Sequence, residues 1–509
     1  MWTILFSILL VHGLGGGPLH VTAQIFTFSH QYIPKNDIVT LNFGVSSSLL
    51  VSGEEPAYLL IDVVFQPLEY YLEDPTYLSE TEMVVFHSSQ KGHIGSEGWC
   101  CTEDLFQSGV CPTVDSMYLD FQHLHMKDYG DYYKSEASDV YYWRKNNTEA
   151  ANKVLLVHSG MWYFVITDCD PKGTLKMMDG NILFHNPSGF LSATLFPNVP
   201  MYSSLTTAYF GLFLVWASLM WVYRKNLVRI QYVMLLAMGI GCVTELVWLI
   251  EWNFYNMNGN YILWLTVLGS VLTAIKITII RTLILLVSIG YSIIYPTLDL
   301  NPKLSVILLT ILYGTAEGTL QYLNALKNLG NSVPAPAQIG VLVFITIING
   351  IYFIWIGYSL YNNKKILKEK KLKSKRLVKM YTYLCYGLCA IGTLCLIFFV
   401  IEHILLALGL DEPLWSSWWL FSYYWEYLVF FVLAFVSFTW RPNARNDKFD
   451  VAYVGEPTVT PEKEPKMSLQ DAPLMYKFKR EPGSPVSLKS PSSSSFTYEG
   501  EIKELEVSF

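Results

Sequence analysis

Residues 262–291 read ILWLTVLGSVLTAIKITIIRTLILLVSIGY, a long apolar run interrupted by two charges, Lys276 and Arg281. A helix rises about 1.5 Å per residue, and about 20 apolar residues cross the ~30 Å hydrocarbon layer. This stretch is long enough to span a bilayer with tilt or overhang. The pattern recurs on both sides of it. Upstream lie 204–223 and 230–250; downstream lie 304–325, 337–361, 380–406 and 418–440. Together they predict a membrane all-α seven-helix bundle over 204–440. The composition agrees. The 509 residues are 52% hydrophobic and 15% charged, with a mean hydropathy of +0.31, whereas a soluble domain averages about 25% charged. The net charge of −7 averages over unlike parts, so charge is informative segment by segment.

The connections set an orientation. Arg224, Lys225 and Arg229 follow the first segment. Lys364, Lys365, Lys368, Lys370, Lys371, Lys373, Lys375, Arg376 and Lys379 follow the fifth, and Arg441 and Arg445 follow the seventh. The opposite connections carry Glu251, Lys327, Asp411 and Glu412. Basic loops stay in the cytosol, and an odd number of spans then predicts a lumenal N-terminal region. The beginning of the chain points the same way. Its apolar run 2–11 is too short to span a bilayer. Val21-Thr22-Ala23 fits signal-peptidase cleavage before Gln24, so 1–23 is read as a signal peptide.

Residues 24–203 are predicted to form a lumenal all-β domain. Runs of β-formers occur at 57–65, 83–87, 154–158, 162–168 and 192–196, and 154–168 reads as a hairpin turning at Ser159-Gly160. Many short strands and turns suggest a β-sandwich. Cys100, Cys101, Cys111 and Cys169 form an even set behind a signal peptide, which implies two disulfides. Adjacent Cys100 and Cys101 are poorly placed to bond, so Cys169 pairs with one of them and Cys111 with the other. Cys242, Cys385, Cys389 and Cys395 lie in apolar segments as small packing residues. Asn146-Asn147-Thr148 is a glycosylation sequon, while Pro187 blocks Asn186. His123-Leu124-His125 offers two histidines without a third ligand and reads as a surface strand; no metal and no cofactor is expected. The tail, 441–509, is rich in Pro, Ser, Glu and Lys and is predicted to be disordered and cytosolic, with serines open to phosphorylation.

The membrane segments hold ionisable groups at Glu245, Lys276, Arg281, Glu317, Glu402, His403 and Glu426. Each costs about 2.5–3.5 kcal/mol at a helix centre unless it meets a partner or a wet cavity. Lys276 lies about 21 Å and Glu317 about 20 Å into their segments, both near mid-bilayer. Lys276 is therefore expected to pair with Glu317, with Glu245, Arg281 and Glu426 around a buried polar cavity; the alternative is a buried ion network that only specifies helix packing.

Several spaced motifs resemble one family. Trp440-Arg441-Pro442-Asn443 is followed by Asn446-Asp447-Lys448-Phe449. Ala274-Ile275-Lys276, Arg281-Thr282-Leu283 and Val287-Ser288-Ile289-Gly290-Tyr291 lie on the third segment, Ala316-Glu317-Gly318 on the fourth, and Arg229-Ile230-Gln231 opens the second. In this order, over 204–455, they resemble the transmembrane protein 87 family. The wider group comprises Golgi seven-helix proteins with a lumenal GOLD-like sandwich and a Wntless-like bundle. Glu402-His403 stands outside the pattern. The resemblance implies a Golgi protein of traffic between endosome, Golgi and plasma membrane. Its implied partners are cargo or sorting machinery, and a membrane lipid in the bundle cavity. The alternative it implies is a cation channel or a regulator of lumenal pH. A G-protein-coupled receptor is disfavoured, because the third segment ends without Asp-Arg-Tyr and the seventh lacks Asn-Pro-x-x-Tyr. No phosphate loop, zinc-spaced His/Cys set or nucleophile elbow occurs, so neither an enzyme nor a nucleic-acid binder is expected.

Overall fold

The computed structural model describes residues 25–33, 38–45, 56–67, 80–95, 98–107, 113–129, 132–146, 150–169, 176–295, 297–328, 334–369, 375–410 and 414–443. The predicted signal peptide, Cys111, Asn147, Thr148 and the tail beyond 443 lie outside them.

Ten strands among the described residues build two antiparallel sheets. They are β1 (Ile25–Ile33), β2 (Ile38–Val45), β3 (Tyr58–Pro67), β4 (Glu80–His87), β5 (Met126–Asp128), β6 (Tyr133–Ser135), β7 (Val140–Asn146), β8 (Ala150–Leu155), β9 (Gly160–Thr167) and β10 (Lys176–His185). One sheet has the order β1-β10-β3-β8 and the other β2-β9-β4-β7-β6-β5. Every second residue turns into the space between them, as a two-residue period requires. Leu41, Phe43 and Val45 meet Leu59, Ile61, Val63 and Phe65, with Trp162, Phe164 and Ile166 alongside. Phe43 stacks on Phe184 across the gap at 4.4 Å. Tyr141 donates its hydroxyl to the Leu155 carbonyl at 2.9 Å, and burial pushes its pKa up to about 12.

The six-stranded sheet is covered on its second face too. Val84, Phe86, Val140, Tyr142 and Val165 pack against Ile94, Met117, Leu119 and Leu124. That explains why residues 83–86 are apolar without alternation. The covering chain holds a 3-10 turn (Ser88–His93), helix α1 (Glu103–Gln107) and helix α2 (Phe121–Leu124). A disulfide joins Cys100 to Cys169 just past β9, which decides the alternative left open above; Cys101 is disulfide-bonded as well. Asn146 closes β7 opposite Glu80.

Three local expectations are corrected. The 154–168 hairpin does not form. β9 has β2 and β4 on its two edges, and β8 pairs with β3 in the other sheet, so the chain arches between sheets. Gly160 starts β9 at φ +151°, and a Cβ there would collide with the His87 imidazole. Residues 192–196 form turns instead of a strand. Finally, His123 sits on α2, and His125 follows it with φ 45°. That left-handed residue ends the helical turn and prevents the predicted strand.

Seven membrane-length helices follow among the described residues: α3 (Asn198–Val222), α4 (Arg229–Asn258), α5 (Leu263–Ile289), α6 (Leu300–Asn328), α7 (Ala335–Glu369), α8 (Lys375–Ala407) and α9 (Trp419–Thr439). Large apolar side chains such as Trp221, Ile307, Ile354 and Phe438 face outward. Outward-facing apolar surface of this kind suits lipid, which offers no driving force to bury it. The β-domain is fastened to the near end of this bundle. Leu191 packs on Trp252 and Tyr255 of α4. Asn256 donates Nδ2 to the Ser188 carbonyl at 2.8 Å and accepts the Leu191 N–H at 3.1 Å through Oδ1. Removing the side chain with Asn256→Ala should cost about 1–3 kcal/mol, since it orphans buried backbone groups. Hydrogen exchange at the amides of 188–191 should accelerate while the β-sheet cores stay protected. Unchanged exchange there would show that the apolar cluster alone holds the junction.

Candidate functional site

One turn sets a buried charged cluster in the bundle interior. Helix α4 continues past residue 250, where hydropathy alone ends it, because Glu251 is buried and accepts the hydroxyl of Thr266 from α5. It stops at Gly259, whose φ of +74° lets its N–H bond back to the Tyr255 carbonyl at 2.8 Å. Glu245 stands as far before the end of α4 at Asn258 as Lys276 stands after the start of α5 at Leu263. Both therefore lie about 20 Å from the same turn and meet across the helix pair.

Lys276 Nζ donates to Glu245 Oε1 at 2.7 Å and to Glu426 Oε2 of α9 at 2.8 Å. The side chains of Lys276 and Glu245 are 1% and 0% exposed, and that of Glu426 is 26% exposed. One ammonium thus faces two carboxylates. Among the described residues, Glu245 Oε2 has no hydrogen-bond partner, and neither does the hydroxyl of Tyr209. Tyr209, from α3, lays its ring on Gly241, where any Cβ would collide with it. Gly241 is one helical turn before Glu245. Two buried polar atoms therefore remain unsatisfied beside a site whose formal charge is −1 when all three groups are ionised. Such an arrangement can take up one further positive charge, as a proton or a small cation.

The expected Lys276–Glu317 pair is absent. Glu317 lies farther from the start of α6 at Leu300 than Lys276 lies from the end of α5 at Ile289. The two positions differ in depth by about 6 Å. The Glu317 carboxylate is instead satisfied on its own helix, by the Tyr313 hydroxyl at 3.0 Å and Gln321 Nε2 at 2.9 Å. Arg281 is also away from the three charges, with its guanidinium over the Tyr313 ring at 5.0 Å. Of the five cavity residues named from sequence, the structure brings Glu245, Lys276 and Glu426 together and puts Arg281 and Glu317 in a second network. Tyr209 is not among the five. A tyrosine in an apolar run gives no signal apart from the small residue it packs on.

These charges sit inside residues 197–447, which match the family description "GOST, seven transmembrane domain". Over that span the chain carries the seven-transmembrane domain of the GOST family and is similar to transmembrane protein 87. It is 24% identical to transmembrane protein 87B of Mus musculus over 52% of this chain and 46% of that protein. It is 25% identical to transmembrane protein 87A of Xenopus tropicalis over 57% of this chain and 52% of that protein. Membrane protein PTM1 of Saccharomyces cerevisiae is 24% identical over 51% of this chain and 50% of its own length. The chain thus matches about half the length of these relatives.

The bundle also carries a groove of about 460 Å³ between α5 and α6. Ser270, Ala274, Thr278, Gly314 and Gly318 keep its floor low, and Tyr322 stands at one side. Small residues on facing helices normally let backbones close together. Here they leave an open groove lined mostly by apolar and small side chains.

Proposed function

We propose that this protein is a Golgi multi-pass membrane protein acting in transport between endosome, Golgi and plasma membrane, by binding and without catalysis. The β-domain would face the lumen and engage cargo or a partner. The basic connection after α7 would face the cytosol, where sorting machinery or anionic lipid could meet it. A lipid chain would lie in the α5–α6 groove. The observation that carries this reading is the junction. Asn256, Trp252 and Tyr255 of α4 fasten the β-domain to the same helix that carries Glu245, so occupancy of the domain can bias the bundle. Depleting the protein from its own cells should slow recycling of a Golgi-directed reporter, and re-expression should restore it. Unaltered transport, or residence of the protein outside the Golgi, would overturn the proposal.

A second reading, a cation channel or regulator of lumenal pH, is favoured by the cluster of Lys276, Glu245 and the part-exposed Glu426 and by the two unsatisfied atoms beside it. Purified protein in liposomes should then pass a current that Glu245→Gln abolishes. Recordings indistinguishable from protein-free bilayers would remove this reading.

A further inference from the structure

The β-domain brings together three metal-ligating side chains that none of the functions above uses. His93 ends the 3-10 turn on the sheet cover, Asp120 caps α2, and His123 lies in that helix. Their ligand atoms all fall within 4.8 Å of one another. His123 Nδ1 is 2.6 Å and His93 Nδ1 is 3.8 Å from the same oxygen, Asp120 Oδ2. The two imidazoles stack at 5.2 Å, 15° from parallel, so both present the same edge to one carboxylate.

The frame is built from buried parts. The Asp120 N–H donates to the His93 carbonyl at 3.1 Å. The neighbouring pair Ile94 and Leu119 forms a bridge, with the two residues 2% and 0% exposed. Asp120 Oδ1 accepts the His123 N–H at 3.1 Å, which fixes the carboxylate plane and turns Oδ2 toward the histidines. His125 is not part of this cluster. A simple Asp–His hydrogen bond needs one imidazole. The second, held parallel to the first, would repel it if both were protonated, whereas a divalent ion satisfies all three ligands at once.

We propose that His93, Asp120 and His123 form a surface site for a zinc-like divalent cation. Zinc binds imidazole nitrogen at about 2.0–2.1 Å and carboxylate oxygen at about 2.0–2.2 Å, so tetrahedral ligands stand about 3.4 Å apart. The His93–Asp120 separation is already close to that. His123 has to withdraw by less than about 1 Å to match, and its side chain, 69% exposed, is free to do so. Three protein ligands leave one position open, so the ion can also accept a donor from water or from a partner protein.

The test is zinc titration of the full chain, purified with a tag free of histidine and stripped with chelator, followed by calorimetry and X-ray absorption. The wild type should bind one equivalent with two imidazoles in the metal's shell. His93→Ala and His123→Ala should each weaken that equivalent by at least about tenfold. Asp120→Asn keeps a capping side chain while removing the charge, so it should weaken zinc with the fold intact. His125→Asn, a residue type that tolerates a left-handed backbone, should bind like the wild type. The same stoichiometry and affinity in all variants would place the zinc elsewhere and overturn the proposal, as would a wild type that binds no zinc.

Discussion

Replacing Lys276 with methionine should destabilise the folded bundle by about 3–5 kcal/mol, the usual cost of removing one partner from a buried ion pair. The lysine is the shared donor of two carboxylates, one of them fully buried, so its loss leaves two like charges facing each other. Thermal unfolding in detergent reads the effect. The triple variant Lys276→Met, Glu245→Gln, Glu426→Gln carries no charge at the site and should recover most of the loss, because neutral groups of similar shape often replace a buried pair at little cost. The contrast separates an interacting unit from three independent residues. Double-mutant cycles refine it. Lys276 with Glu245 should show a coupling of about 0.5–3 kcal/mol, and Lys276 with Glu317 should be additive within about 0.5 kcal/mol. A triple variant as unstable as the sum of its single changes would sink the assignment.

The same site shows what can be read before the structure. Hydropathy identifies the spans because a bilayer demands a fixed length of apolar helix, and it identifies Glu245, Lys276 and Glu426 because charges there are costly. It misplaces the helix ends. From sequence, Glu251 and the residues after it look like the exit from the membrane, but Glu251 is buried against Thr266 and α4 runs on to Asn258. An error of about two helical turns at one end moves Glu245 by about 12 Å and makes Glu317 look like the better partner for Lys276. In the β-domain the limit is different. Alternation tells which face a strand buries, not which strand lies beside it, so β8 and β9 look like a hairpin although they belong to separate sheets. The His123-Leu124-His125 motif is visible in the sequence, but Asp120 and His93 gain meaning only when the Ile94–Leu119 bridge brings their segments together.

The second large effect concerns that covering segment. Cys100 and Cys169 are 69 residues apart in sequence, and a closed loop of that size stabilises by about 4 kcal/mol through chain entropy. The double variant Cys100→Ser, Cys169→Ser should lose a stability of that order, and the loss should be local. Among the described residues the cover's own backbone pairing is limited to isolated bridges, Ile94 with Leu119 and Cys100 with Met117, and it rests on the sheet through apolar contact. Beneath it Glu82 is 2% exposed and accepts from the Met117 N–H and from the Tyr142 hydroxyl. Once the disulfide is gone, water can reach this carboxylate, and its hydration favours the open form. Proteolysis should then cut first within 88–128, and the amides of Met117 and Leu119 should exchange faster. Phe164 and Ile166, which face the space between the sheets, should keep their protection, as should α4 and α5. Simultaneous loss of protection in both cores would mean that the cover and the sandwich fold as one unit. Unchanged protection at Met117 would mean that apolar contact with Val84, Phe86 and Tyr142 holds the cover without the bond.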